Sequence, residues 1–211
     1  MSTLLHLSAS PLSDRSYSGR VAESFVSAWR AANPGGTVDS LNVWAEDLPE
    51  FDAIGASWKV KAMSGQAPNA EESALAARAY AVANRFAAAD KYLISVPMWN
   101  FSVPYKLKHY LDVIVQPGVT FGFDPAKGYF GLLPSVRPVQ LVLSRGGTSY
   151  GPGEVMGALE FQESYLRGIL GFMGLTNVST LKVECTAFGP DVAEPIVAQV
   201  SEAARTAAIG F

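Results

Sequence analysis

Three short stretches carry residue types that an ordinary turn does not need. The first is SASPLSDRSYS (8–18), in which Ser10, Ser13, Ser16 and Ser18 surround Pro11 just ahead of a helical pattern. Hydroxyls and free backbone N–H groups at a helix N-terminus favour an anion such as a phosphate, with no lysine required. The same serines also suit a turn and a helix cap, and Arg15 suits either a phosphate or solvent. The second stretch is PMWNF (97–101). Met98, Trp99 and Phe101 can pack around a flat ring, and Asn100 can meet a polar edge of that ring. The third is SRGG (144–147), where Ser144 and Arg145 precede Gly146 and Gly147. Paired glycines let a backbone approach a ligand closely, and they also make a plain turn.

These stretches need elements to position them. Apolar runs at 3–9, 37–44, 91–96, 136–144 and 178–185 predict five strands. Helical spacing predicts helices over 18–32, 70–89, about 104–115, 155–172 and about 190–208, with Pro104 in the first turn of the third. Alternation of this kind implies right-handed crossovers and a parallel sheet covered by helices on both faces. The expectation is an α/β, doubly wound, five-stranded parallel sheet forming one domain over residues 1–211. Connections over 45–69 and 116–135 are long enough to be functional or irregular. All three chemically unusual stretches follow strands, and in open α/β sheets ligands bind outside the carboxyl ends of strands where the strand order reverses.

Composition narrows the classes. A hydrophobic content of 49% with 17% charged residues supports a sizeable core, and a net charge of -3 offers no basic field for nucleic acid or anionic lipid. No run of 18 apolar residues is present and the N-terminus lacks a basic segment, so a soluble cytoplasmic protein with no membrane partner is expected. The single cysteine, Cys185, permits no internal disulfide and reads as an inert buried thiol. His and Cys spacing predicts no metal site. Neither GxxxxGK[ST] nor GxGxxG occurs, which removes support for nucleoside triphosphate hydrolysis and for the usual dinucleotide fold. A mononucleotide held by hydroxyls and amides fits better, and a flavin ring fits the aromatic stretch.

In its order and spacing the chain resembles the FMN-dependent NADH-azoreductase family, the bacterial flavodoxin-like quinone reductases. The resemblance rests on Ser16-Tyr17-Ser18 with Ser10 upstream, on Pro97–Phe101, on Leu107-Lys108-His109-Tyr110-Leu111-Asp112, on GVTF at 118–121 and on SRGG at 144–147. It implies non-covalent FMN, with Ser10, Ser16, Tyr17 and Ser18 at the phosphate, and with Met98, Trp99, Asn100, Phe101, Ser144, Arg145, Gly146 and Gly147 around the ring. It further implies the flavodoxin-like strand order 2-1-3-4-5 and a homodimer with an active site at the interface. Two-electron ping-pong transfer would run from NADH or NADPH to a quinone or azo acceptor. Trp99 and Phe123 stand where the family commonly has tyrosine, so the implied pocket is more apolar. The competing expectation is a flavodoxin-type FMN electron carrier serving a protein partner, which is usually smaller and strongly acidic.

Other residues keep two readings. Trp44 and Trp58 can cover a partner's cofactor or pack the 45–69 segment onto its own subunit. Phe121 and Phe123 can wall a substrate pocket or pack their own loop. His6 and His109 read as structural. Phe161 and Tyr165, four apart on one helix face, read as core.

Overall fold

The computed structural model describes residues 2–211. Five strands form the sheet: β1 (Thr3–Ser8), β2 (Thr37–Asn42), β3 (Lys91–Pro97), β6 (Val139–Ser144) and β7 (Val178–Val183). They lie in the order β2-β1-β3-β6-β7 and every neighbouring pair is parallel. This is the expected order 2-1-3-4-5 once the two strands of a separate hairpin, β4 (Phe121–Asp124) and β5 (Gly128–Gly131), are numbered in. The reversal falls between β1 and β3, so their C-terminal ends flank the natural crevice.

The period of two along each strand sorts side chains onto two cores. Leu5, Leu7, Tyr92, Ile94, Val96, Leu141 and Leu143 face α3 (Ala70–Ala87), α4 (Tyr105–Ile114) and α5 (Gln162–Phe172). Leu4, Leu93, Val142 and Val183 face α1 (Tyr17–Ala32) and α6 (Pro190–Ile209), which supply Val21, Phe25, Val26, Trp29, Val197 and Ala204. Among the described residues no helix is long and apolar enough to cross a membrane.

Both long connections contain structure that the sequence pattern hid. Residues 45–69 include α2 (Ala53–Ser64), capped by Asp52 and ended by Gly65 in the left-handed region. Its apolar residues spread around the helix with no dominant face, which is why periodicity missed it. Trp58 anchors it, buried against Ala76, Ala79 and Val113, so this tryptophan packs onto its own subunit. Glu72 ties α2 to α3 by accepting from Lys61, Ser57 and the Asn69 N–H, and these bonds hold its carboxyl at about 2. Residues 116–135 contain the β4–β5 hairpin. The helix expected over 155–172 begins only at Gln162: Gly157 falls inside the run, and a 3-10 turn occupies Gly157–Leu159.

His6 lies on the α1 side of β1 with its Nε2 3.4 Å from Ser95 Oγ. Burial, with the charge of Arg30 adding to it, lowers its pKa to about 4. The unfolded chain therefore takes up a proton near pH 6.5 that the folded chain resists until about pH 4. His6 makes folding stability fall across that window, by up to about 3 kcal/mol at its lower end. Urea unfolding of His6→Gln is expected to show a shallower loss between pH 7 and pH 4 than the parent; equal slopes would refute this assignment.

Candidate functional site

The three unusual stretches meet at the C-terminal edge of adjacent strands. Two backbone bonds join them to the neighbouring strands: Ala9 N–H donates to Ser95 O at 2.9 Å and Met98 N–H to Ser144 O at 2.7 Å. After β1, a 3-10 turn over Ser13–Arg15 leads into Ser16, which caps α1 by accepting from Gly19 N–H at 3.1 Å. A Cβ at Gly19 would stand a tight 3.1 Å from that of Ser16, so a larger residue there would press on the cap. Ser10, Ser16 and Ser18 are all buried, with the last two hydroxyls 3.3 Å apart. The N–H groups of Tyr17 and Ser18 have no acceptor among the described residues. Arg15 is exposed to solvent.

After β3, Trp99 and Ser102 exchange two backbone bonds of 2.9 and 3.0 Å around a tight turn. Its central residues, Asn100 (φ 47) and Phe101 (φ 69), both lie in the left-handed region. Asparagine tolerates this conformation, but phenylalanine adopts it only at a cost of about 1–3 kcal/mol. A bond from Phe161 N–H to Phe101 O braces the turn. The Asn100 and Phe101 N–H groups are also without acceptors among the described residues.

After β6, the carbonyls of Arg145, Gly146 and Gly147 accept from the N–H groups of Thr186, Ala187 and Cys185. With their oxygens tied to that segment, Gly146, Gly147 and Thr148 keep unpartnered N–H groups. The Arg145 side chain does not reach the edge, contrary to the sequence expectation. It is 1% exposed and turned into the protein, where Glu160, Gln162 and Glu184 accept from it. Cys185 is half-buried rather than enclosed, with a left-handed backbone (φ 60).

Beside the turn lies a cavity of about 470 Å³ lined by Trp99, Asn100, Ser102, Val103, Tyr105, Lys108 and Tyr165. Trp44 forms an aromatic group with Trp99 and Tyr105, at centroid distances of 5.6 and 5.3 Å, and its indole N–H donates to Ala9 O. Trp44 thus links the first stretch to the second within one subunit. Burial raises the Tyr165 phenol to about 12, so it stays protonated. Tyr165 packs against the core and also lines the cavity, while Phe161 is exposed ahead of α5. Tyr105 and Tyr165 were missed because helical periodicity reads both as ordinary positions. His109 is structural, 2.9 Å from Pro49 O. A second cavity of similar size, lined by His6, Ser8, Asp14, Arg20, Ser40 and Asn42 among others, opens between α1 and β2.

Comparison with known proteins agrees with this geometry. A family model described as a flavodoxin-like fold matches residues 2–207. An FMN-dependent NADH:quinone oxidoreductase of Nitratidesulfovibrio vulgaris is 44% identical over 217 residues, covering 100% of both chains. The chain belongs to the flavodoxin-like FMN-dependent NADH:quinone oxidoreductase/azoreductase family. Among solved members of that family, an azoreductase from Bacillus anthracis str. Sterne superposes with a TM-score of 0.89 at 29% identity, covering 100% of both chains. An FMN-dependent NADH-azoreductase from Bacillus anthracis str. Ames Ancestor, solved in complex with FMN, gives 0.84 at 27% identity over 99% of this chain and 100% of that one. Within this oxidoreductase frame, the left-handed Asn100–Phe101 pair is the site's clearest local strain. Phe101→Gly is expected to raise the urea midpoint, relieving about 1 kcal/mol of it, whereas Phe101→Val unfolds at lower urea. Equal midpoints for the two variants would mean that the turn is unstrained.

Proposed function

We propose that the chain is an FMN-dependent NAD(P)H oxidoreductase reducing quinones and azo compounds by two-electron ping-pong transfer. The observation that carries this reading is a row of three sets of unpartnered backbone N–H groups beyond the C-terminal ends of β1, β3 and β6: Tyr17 and Ser18, Asn100 and Phe101, and Gly146 to Thr148. Such an array suits a ligand with a phosphate at one end and a flat ring rich in acceptors at the other, which is the chemistry of FMN.

In this reading, the Tyr17 and Ser18 amides and the Ser10, Ser16 and Ser18 hydroxyls hold the phosphate at the positive end of α1. Met98, Trp99 and Phe101 pack at the ring, and the Asn100 and Phe101 amides meet its polar edge. The Gly146, Gly147 and Thr148 amides stand at the edge where negative charge develops on reduction, aimed in advance and needing no reorganisation. Bound FMN supplies the two-electron chemistry that amino-acid side chains lack. The aromatic cavity beside Trp99, Tyr105 and Tyr165 offers flat walls to a nicotinamide or a quinone in turn, with Tyr165 as a protonated donor. Overall, NAD(P)H, a proton and a quinone give NAD(P)+ and the quinol.

A homodimer with the site at its interface belongs to the same proposal. The exposed rings of Phe123 and Tyr129 on the hairpin lie 5.0 Å apart, with Tyr129 6.0 Å from Phe172. An apolar cluster at this edge is well suited to burial against a second copy.

Anaerobic mixing of the FMN-loaded protein with NADH or NADPH is expected to bleach the flavin band fully, and one equivalent of benzoquinone should restore it. Retained FMN that neither nucleotide bleaches would overturn the enzymatic reading.

A further inference from the structure

Arg145 sits in the most heavily bonded charge cluster of the chain, and the proposal above gives it no task. Its guanidinium donates to Glu160 Oε1 at 2.7 Å, to Gln162 Oε1 at 3.1 Å and to Glu184 Oε1 at 3.4 Å, with Glu163 at 3.8 Å. The Tyr150 ring lies over its other face at 5.4 Å. Each partner fastens a different segment. Glu160 also accepts from the Glu163 and Ser164 N–H groups and so caps α5. Gln162 donates to Val96 O near the end of β3. Glu184 accepts from Thr148 Oγ1 in the loop after β6. Burial pushes the Glu163 carboxyl up, but bonds from Lys182, Arg167 and Thr180 outweigh it and hold it at about 2. Glu163 therefore stays ionised at neutral pH.

The residues that follow Arg145 are the ones whose amides stand free. Arg145 O accepts from both the Thr186 N–H and the Thr186 hydroxyl, and Gly146 O and Gly147 O accept from Ala187 and Cys185. The guanidinium bonds none of these peptides itself; it is coupled to them through Glu184, which accepts from both Arg145 and the Thr148 hydroxyl, and through its own backbone, whose carbonyl Thr186 holds. A planar five-donor fork can hold Glu160, Gln162 and Glu184 at once, whereas lysine cannot satisfy three acceptors in one plane.

We propose that Arg145 is a positioning residue which, acting through the Gly146, Gly147 and Thr148 amides, sets how strongly the site prefers reduced over oxidised FMN. This rests on the FMN reading of the site. Fixed donors aimed at developing negative charge favour the reduced form, and freeing the loop lets them turn away.

The test compares the parent with Arg145→Lys, and with Glu184→Gln and Thr186→Val, which loosen the same loop from its rim. Arg145→Lys is expected to bind oxidised FMN within about threefold of the parent, because the phosphate cradle is untouched. Its preference for reduced FMN should fall about tenfold, read as a midpoint potential about 30 mV more negative for a two-electron couple. In the FMN-free protein, hydrogen exchange at the Cys185, Thr186 and Ala187 amides should quicken, reporting the loosened carbonyls. If Arg145→Lys does not fold, the two rim variants decide by a smaller shift of the same sign. An unchanged potential in folded, FMN-binding variants would overturn the proposal and leave Arg145 as a core ion pair. If the parent itself binds no FMN, the function falls; exchange at 185–187 still reads the loop, and unchanged exchange in Arg145→Lys would end the positioning role too.

Discussion

The site depends on which backbone oxygens are tied down. A strand that ends at the edge of a parallel sheet leaves its next peptides with both a donor and an acceptor to satisfy. Here the acceptors are consumed within the protein. Ser13 and Ser16 oxygens take N–H groups of the first loop and helix, Trp99 and Ser102 exchange bonds, and oxygens of 145–147 take the amides of 185–187. The donors beside them remain free. An edge lined by donors without acceptors costs stability unless water or an electron-rich ligand meets it. That asymmetry makes three loops into one polar cradle, and it follows from backbone geometry rather than from any charged side chain.

Arg145 shows how such a cradle is held rigid. A buried cation would cost several kcal/mol if left unpaired, and removing one member of a buried pair commonly costs about 3–5 kcal/mol. The chain meets this with a planar fork whose acceptors are Glu160 before α5, Gln162 in its first turn and Glu184 at the β7 exit, and Gln162 in turn donates to Val96 O of β3. The same carboxylate that binds Arg145 also caps α5, so helix and loop share one fastening. Aromatic packing does comparable work on the opposite side, where Trp44 joins the first loop to Trp99 and Tyr105.

A good part of this was legible in the sequence. The five core strands and most helices follow from short apolar runs and the period of 3.6, because a sheet covered on both faces buries its central strands whole, while the strand order came with the family resemblance. The three loops stood out because their residue types exceed what turns require. The helix α2 did not stand out, since its apolar residues serve several neighbours at once and form no stripe. The early helix start at 155 failed because Gly157 opens a 3-10 turn over Gly157–Leu159 that periodicity cannot see.

The amino-acid sequence by itself determined the alternation of elements, the placement of serine, aromatic and glycine stretches at strand ends, and the family. Those are local properties: spacing, composition and turn chemistry act over a few residues. Only the tertiary structure decided that Arg145 faces inward, that Phe101 takes a left-handed conformation, that Tyr105 and Tyr165 share a cavity, and which amides stay unpartnered. Each of these depends on groups far apart in the chain, such as Glu184 against Arg145 or Phe161 against Phe101, whose meeting is set by packing of the whole sheet.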